Sequence, residues 1–227
     1  MNLTDTQRRL IERVVNVFET GTPAGKYDTL VIYADGPHDM RQITYGRSQT
    51  TEYGNLLELV EDYVAANGTF SAALAAYADR VGSVPLTDDK AFKDLLRKAG
   101  RTDAVMKTVQ DRFFDKRYYQ PAMTWADTSG FVLPLSALVI YDSFIHSGSI
   151  PWFLRARFPE SPPANGGDER AWTQAYVDTR HDWLATHSRE VLRKTVYRTA
   201  CFQNEIARGN WGLDQLPISA NGVDVTP

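Results

Sequence analysis

The spacing of apolar residues is the strongest constraint on this chain, because it is helical along most of the sequence. A capping box, with Thr4 three positions before Gln7, predicts the start of a first helix that Gly21 ends. Two β-prone runs, Leu30–Tyr33 and Gln42–Tyr45, flank an Asp-Gly-Pro turn and predict a small hairpin. The pattern therefore predicts a mainly α (α+β) fold with one β-hairpin near the N-terminus.

Helical spacing returns after the hairpin. The predicted helices cover residues 53–68, 70–81, 88–99, 104–119, 122–129, 133–146, 168–186 and 189–208. Gln120-Pro121 is predicted to break the chain between two of them, and the tail from Leu216 to Pro227 is predicted to be irregular.

Composition and motifs exclude several classes of function. The net charge of −3 gives no indication of a nucleic-acid or membrane partner, and no apolar run approaches the about 20 residues of a membrane span. The single cysteine allows no internal disulfide. The four histidines are scattered, and neither a phosphate loop nor a nucleophile elbow is present. We therefore expect no metal and no cofactor.

Two acidic residues near the N-terminus fit glycoside hydrolysis, which needs one protonated and one ionised carboxyl group. Glu19 lies in the last turn of the first helix beside its apolar stripe, where desolvation favours the protonated form. Asp39 lies in the polar hairpin near Arg41 and would more easily stay ionised. Because a glutamate at a helix end is usually an ordinary surface residue, these positions alone leave both interpretations open.

Several segments, in the same order along the chain, carry a resemblance to a known family. Asp39 to Thr44 fits an Asp-x-Arg-x-x-Thr pattern. The other matching segments are residues 54–60, 118–122, 141–142, 146–148, 166–169 and 178–180. On these segments the chain resembles the chitosanases of glycoside hydrolase family 46.

The resemblance implies a lysozyme-like fold, in which residues 1–227 form one domain of two helical lobes flanking a cleft. It implies endo-acting, inverting hydrolysis of a β-1,4-linked glucosamine polymer, chitosan. Glu19 then matches the general acid and Asp39 the general base, while Thr44 matches the residue that positions the attacking water. Asp35 is a rival for the base, because the match of the hairpin assumes a shift of one residue.

The same resemblance implies supporting and substrate-binding residues. Asp142, Arg180 and Arg198 match an internal ion network that supports the acid, and Arg41 matches a cleft arginine. The family often has an aspartate that reads a substrate amino group, and this chain has Asn55 at that position.

Other residues along the chain are candidates for substrate contacts. Glu52 could replace the missing aspartate, while Tyr45 and Gln49 could bind sugar hydroxyls. Tyr118 and Trp152 could stack on sugar rings, but core packing is the more common role of such aromatic residues.

Two other functions remain open at this point. The first is hydrolysis of another amino-sugar polymer, such as peptidoglycan or partly acetylated chitin, which the Asn55 departure favours. The second is non-catalytic carbohydrate binding on a lysozyme-like scaffold. We expect a monomer that acts on an extracellular polysaccharide, although the N-terminus shows no secretory signal.

Overall fold

The computed structural model describes residues 1–47 and 49–227. The chain forms two compact units: Met1–Gly25 with Arg117–Pro227 make up unit 1, and Lys26–Lys116 make up unit 2. The mainly helical class with a small antiparallel hairpin is confirmed. Among the described residues, no helix has both the length and the apolar character needed to span a bilayer.

The helices and strands follow one another from the N-terminus. The helices are α1 (Asp5–Thr20), α2 (Leu56–Ala65), α3 (Ser71–Ala75), α4 (Lys90–Thr102), α5 (Ala104–Phe114), α6 (Gln120–Thr128), α7 (Pro134–Ser147), α8 (Trp152–Arg155), α9 (Glu169–Ala185), α10 (Glu190–Arg193) and α11 (Tyr197–Ala207). The strands are β1 (Leu30–Tyr33), β2 (Gln42–Tyr45), β3 (Thr50–Thr51), β4 (Ile218–Ala220) and β5 (Val223–Val225).

The first helix begins and ends where the sequence predicts. The Thr4 hydroxyl accepts a hydrogen bond from the Gln7 backbone N–H at 3.2 Å, and the Gln7 side chain accepts one from the Thr4 N–H at 3.0 Å. Gly21 ends α1 with a φ of 74°, a left-handed conformation that suits glycine. This capping fixes Glu19 in the last turn.

Helix α7 is the central helix of unit 1, since its residues from Leu135 to Ser143 are all buried. A helix that is buried on all sides lies inside a core rather than at its surface. It packs against α1, α6, α9 and α11. Burial of a large apolar side chain contributes about 1.5–3 kcal/mol relative to exposure, so α7 is a rigid support for any group that it carries.

Unit 2 contains an antiparallel sheet in the order β1-β2-β3. Thr44 lies at the centre of this sheet, opposite Val31 on one side and Thr51 on the other. The hairpin of β1 and β2 was predicted, whereas the two-residue strand β3 was not. The helices α2 to α5 and the buried Ile43 share one hydrophobic core.

The predicted break at Gln120-Pro121 is wrong. The chain passes from α5 through a π-helical segment, Asp115–Tyr119, directly into α6. Pro121 lies in the first turn of α6, where a missing N–H leaves no helical hydrogen bond unmade.

Three other predictions are also wrong: the irregular tail and the continuous helices at residues 70–81 and 189–208. Strands β4 and β5 form a hairpin around Asn221-Gly222, a pair that supplies the two positive φ values of a tight turn. The segment 70–81 is helical only in α3, and the segment 189–208 is divided into α10 and α11.

Candidate active site

Glu19 contacts Arg198 directly. Oε1 of Glu19 accepts a hydrogen bond from Nη2 of Arg198, and the two side chains are only 13% and 5% exposed. Glu19 comes from the last turn of α1, and Arg198 from the first turn of α11. The contact therefore fixes the carboxyl group of Glu19 at the surface of unit 1.

Arg198 is in turn held by a buried ion pair. Its Nη1 donates to Oδ1 of Asp142 at 2.6 Å, and Nη1 of Arg180 donates to Oδ2 of Asp142 at 2.7 Å. Asp142 and Arg180 have almost no exposed surface. Buried charges are tolerated only when they are paired, so these residues form one unit of structure behind Glu19. The structure thus brings together all members of the predicted network.

The charged groups of this network shift one another's pKa values. Burial alone would lower the pKa of Arg198, but the negative charges of Asp142 and Glu19 raise it overall. Burial alone would raise the pKa of Asp142, but Arg198 and Arg180 hold it below its usual value. Burial and the two arginines lower the pKa of the neighbouring His146 to about 4. His146 is consequently neutral near pH 7, while Asp142 and Arg198 are charged.

Two tyrosines also surround Glu19 within unit 1. Burial raises the pKa of Tyr118, and the charge of Glu19 raises it further, although Arg117 acts in the opposite direction. Tyr197 donates its hydroxyl hydrogen to the backbone oxygen of Phe18 at 2.9 Å. Tyr197 was not predicted as a residue of the site, and only its position next to Arg198 in the sequence indicates it.

Asp39 lies in a short 3₁₀ turn, Pro37–Asp39, between the first two strands. His38 and Asp39 both have positive φ values, 55° and 60°, which non-glycine residues seldom adopt. The carboxylate of Asp39 is exposed and makes no hydrogen bond or ion pair within the described part of the chain. Strained backbone of this kind is typical of functional sites.

The rival carboxylate, Asp35, is already engaged. Its Oδ1 accepts a hydrogen bond from Nε2 of Gln42 at 2.9 Å, so it stabilises the hairpin. Asp39 has no such partner among the described residues and is the more available carboxylate of the two.

The hydroxyl group of Thr44 is buried and has no hydrogen-bond partner among the described residues. A buried polar atom without a partner is uncommon in proteins and is often explained by a bound water. This geometry agrees with a role for Thr44 in holding a water molecule.

Arg41 forms an ion pair with Asp88, with Nη2 and Oδ1 separated by 3.3 Å. Both side chains are largely exposed, so the pair contributes little stability and leaves Arg41 accessible to a ligand.

Two predicted substrate-binding residues are corrected by their burial. Tyr45 is fully buried and donates its hydroxyl hydrogen to the Leu96 carbonyl at 2.7 Å, and this burial raises its pKa. Glu52 is 1% exposed and accepts hydrogen bonds from the backbone N–H groups of Ile43 at 3.0 Å and Leu86 at 2.6 Å. The prediction that these two residues bind substrate is wrong, because both hold unit 2 together from within.

The other two predicted substrate-binding residues, Gln49 and Asn55, are not fully buried. Gln49 is exposed with a φ of 49°, and the preceding Ser48 lies outside the described residues. Asn55 is half-buried and accepts a hydrogen bond from the Thr51 N–H at 3.1 Å. Across residues 1–47 and 49–227, no three His, Cys, Asp or Glu side chains are grouped closely enough to hold a metal ion.

The sequence model of glycosyl hydrolase family 46 matches residues 13–218. The chain belongs to this family. A chitosanase of Bacillus subtilis (strain 168) is 29% identical over 229 residues, which cover 93% of this chain and 81% of the relative. The predicted family and the predicted class of enzyme, a glycoside hydrolase, are confirmed.

Solved structures of the same family resemble the whole chain. A complex of the family 46 chitosanase of Gynuella sunshinyii with chitotetraose has a TM-score of 0.79 and 26% identity, and it covers 100% of this chain and 99% of that one. A mutant chitosanase of Bacillus subtilis MY002 complexed with 6 GlcN has a TM-score of 0.79 and 26% identity, with both chains fully covered. These likenesses agree with the predicted lysozyme-like fold.

Proposed function

We propose that this glycoside hydrolase is an endo-acting, inverting chitosanase that cleaves β-1,4-linked glucosamine polymers. Membership of family 46 supports the proposal. So do the relatives, which are named chitosanases and two of which were crystallised with glucosamine oligomers. The observation that carries the assignment of the acid is the contact of Glu19 with Arg198 and its buried partners.

Glu19 is proposed as the general acid. Arg198 contacts Oε1, and Oε2 would take up a proton before each turnover and pass it to the glycosidic oxygen as the bond to the anomeric carbon breaks. The planar guanidinium group of Arg198 holds the carboxyl group of Glu19 in one orientation. Fewer unreactive geometries are therefore sampled.

Asp39 is proposed as the general base. It removes a proton from a water molecule while the water oxygen attacks the anomeric carbon on the face opposite to the leaving group. The unpartnered hydroxyl of Thr44 would orient that water. The product then has the inverted, α configuration, and one water is consumed for each bond that is cleaved.

We also propose that the protein acts as a monomer outside the cell, where a polysaccharide substrate is accessible. A direct test of the function measures the reducing ends released from chitosans of graded acetylation and from peptidoglycan. We expect turnover on chitosan by the parent protein. In Glu19→Gln the rate should fall about 10²-fold or more, because the amide carries no transferable proton. Turnover on peptidoglycan alone, or an unaffected Glu19→Gln, would contradict it.

A further inference from the structure

A cavity of about 530 Å³ lies in unit 1 at the carboxyl end of α7. Its walls come from the last turn of α7, from α8 and from single residues of α9 and α10, Trp183 and Leu192. The volume is within the range of about 300–1,000 Å³ that is usual for small-molecule sites. Glu19, Asp39 and Thr44 are not among the lining residues.

An exposed tryptophan marks the cavity. Trp152 was expected in the core, but it begins α8 and is 80% exposed, so that expectation is wrong. Its ring meets Phe153 edge-on at 6.2 Å, and Phe153 meets Trp183 at 5.5 Å. Large apolar surface left in water is typical of a binding site. A row of aromatic rings offers flat apolar faces on which the C–H face of a pyranose can stack.

The cavity also has polar groups that can bind a ligand. His146 lines the cavity, while its Nδ1 atom is buried and has almost no accessible surface. Burial lowers the pKa of His146 to about 4, with a contribution from Arg180 and Arg198, so the ring is neutral near pH 7. His146 therefore adds no charge to the lining, and the hydroxyl groups of Ser147 and Ser149 can pair with an amide or a hydroxyl group of a ligand.

The charge around the cavity decides which sugar fits. None of the lining residues is acidic. The charged groups that act on His146 are balanced, because Arg180 and Arg198 are both paired with Asp142, and the guanidinium of Arg157 lies 6.0 Å from the centre of the Phe153 ring. A protonated glucosamine unit would find no carboxylate in this lining and would lose hydration. An acetylated unit is neutral and brings a methyl group for the apolar wall and an amide for the hydroxyl groups of Ser147 and Ser149.

We infer that this cavity is a binding site for a neutral N-acetylglucosamine unit. The inference deepens the proposed function, on which it rests for the choice of an amino sugar as the ligand. It means that a chain of partly acetylated chitosan is held through its acetylated units by residues that take no part in bond cleavage.

The test measures binding of N,N′-diacetylchitobiose to the full-length protein by calorimetry and by saturation-transfer NMR at the acetyl methyl group. We expect Trp152→Ala to weaken binding about tenfold or more, equivalent to about 1.4 kcal/mol. Trp152→Phe keeps an aromatic face and should retain most of the affinity. Val132→Ala, at another exposed apolar residue of unit 1, should change nothing.

Two comparisons make the test decisive. The deacetylated dimer, chitobiose, should bind the cavity much more weakly, and equal binding of the two dimers would overturn the inference. Absent binding of the acetylated dimer, or equal affinity in Trp152→Ala and the parent, would also overturn it. Trp152→Ala should hydrolyse fully deacetylated chitosan at the parent rate. A protein that binds the acetylated dimer through Trp152 but cleaves no chitosan would refute the proposed function and leave this inference standing.

Discussion

Arg198 and Glu19 are 179 positions apart in the sequence, yet they form a direct ion pair within unit 1. The pair is anchored on the buried Asp142 of α7, so the position of the carboxyl group is set by the core of the unit rather than by a mobile loop. This arrangement is what a general acid requires if it must keep one orientation through many turnovers.

The first prediction concerns this anchor. Arg198→Lys keeps the charge but loses the planar fork that reaches Asp142 and Glu19 together, so kcat should fall about tenfold or more while KM changes little. The basic limb of the pH profile of kcat, which reports the general acid, should also move. The exposed Arg189→Lys is a matched control that should leave both quantities unaltered. Loss of stability with an unchanged pH profile would reduce Arg198 to a structural role.

The second prediction separates the two candidate bases. Asp39→Asn should lower kcat about 10²-fold or more, since the amide cannot take a proton from water. Asp35→Asn should have a small effect, because Asp35 is occupied with Gln42 and an asparagine oxygen can accept the same hydrogen bond. Steady-state rates on chitosan decide between them. A deeper loss in Asp35→Asn would transfer the role of base to that residue.

The third prediction uses the unpartnered hydroxyl of Thr44. Thr44→Val removes the hydroxyl and keeps the shape, so the free energy of unfolding should stay constant or rise slightly. The rate should nevertheless fall about tenfold or more if the hydroxyl orients water. Thr44→Ser should retain most of the rate. Equal rates in the valine and serine variants would show that the hydroxyl has no part in catalysis.

The sequence predicts best the features that local chemistry determines. The capping box at Thr4 and the glycine at Gly21 place α1, and with it Glu19, within one residue of the observed position. The β-prone runs Leu30–Tyr33 and Gln42–Tyr45 coincide with the observed bounds of β1 and β2. The members of the ion network came from the family resemblance, since nothing local indicates that Arg198 meets Glu19.

Burial by distant elements is what the sequence does not disclose. Tyr45 ends the predicted hairpin and Glu52 follows it, and nothing in their local sequence indicates that α4 and the segment at Leu86 cover them. Trp152 shows the opposite error, because core packing is the more common role of an aromatic residue and this side chain is exposed. Alternation along a strand or helix predicts one buried face but not which neighbour covers it.

The fourth prediction follows from the correction at Glu52. Glu52→Gln turns one of two accepting oxygens into a donor that faces a backbone N–H, so the free energy of unfolding should fall by about 1–3 kcal/mol. The KM for chitosan should not change, because the side chain is out of reach of substrate. Chemical denaturation and steady-state kinetics measure the two effects. A raised KM with full stability would restore Glu52 as a substrate contact.

The fifth prediction concerns the dependence of stability on pH. The pKa of His146 is about 4 in the folded chain and 6.5 ordinarily, so between these values only the unfolded chain binds the proton. Stability should therefore be complete above pH 6.5 and fall as the pH drops towards 4, by up to about 3 kcal/mol from this residue. The lowered pKa of Asp142 acts in the same direction at still lower pH.

Denaturation curves at a series of pH values measure this slope. His146→Gln should flatten it between pH 6.5 and 4. His38→Asn, at the exposed histidine with left-handed backbone that asparagine tolerates, should leave it unaltered. A slope that persists in His146→Gln would show that another group carries the titration.

Glu19 and Asp39 are proposed to cleave the β-linked polymer with inversion, and the anomer that forms first distinguishes inversion from retention. Proton NMR of a chitosan oligomer, recorded within the first turnovers and before mutarotation, resolves the α and β signals of the new reducing end. We predict that the α signal appears first and that the β signal grows later by mutarotation. A β signal that appears first would contradict inversion and the assignment of Asp39 as the base that activates water.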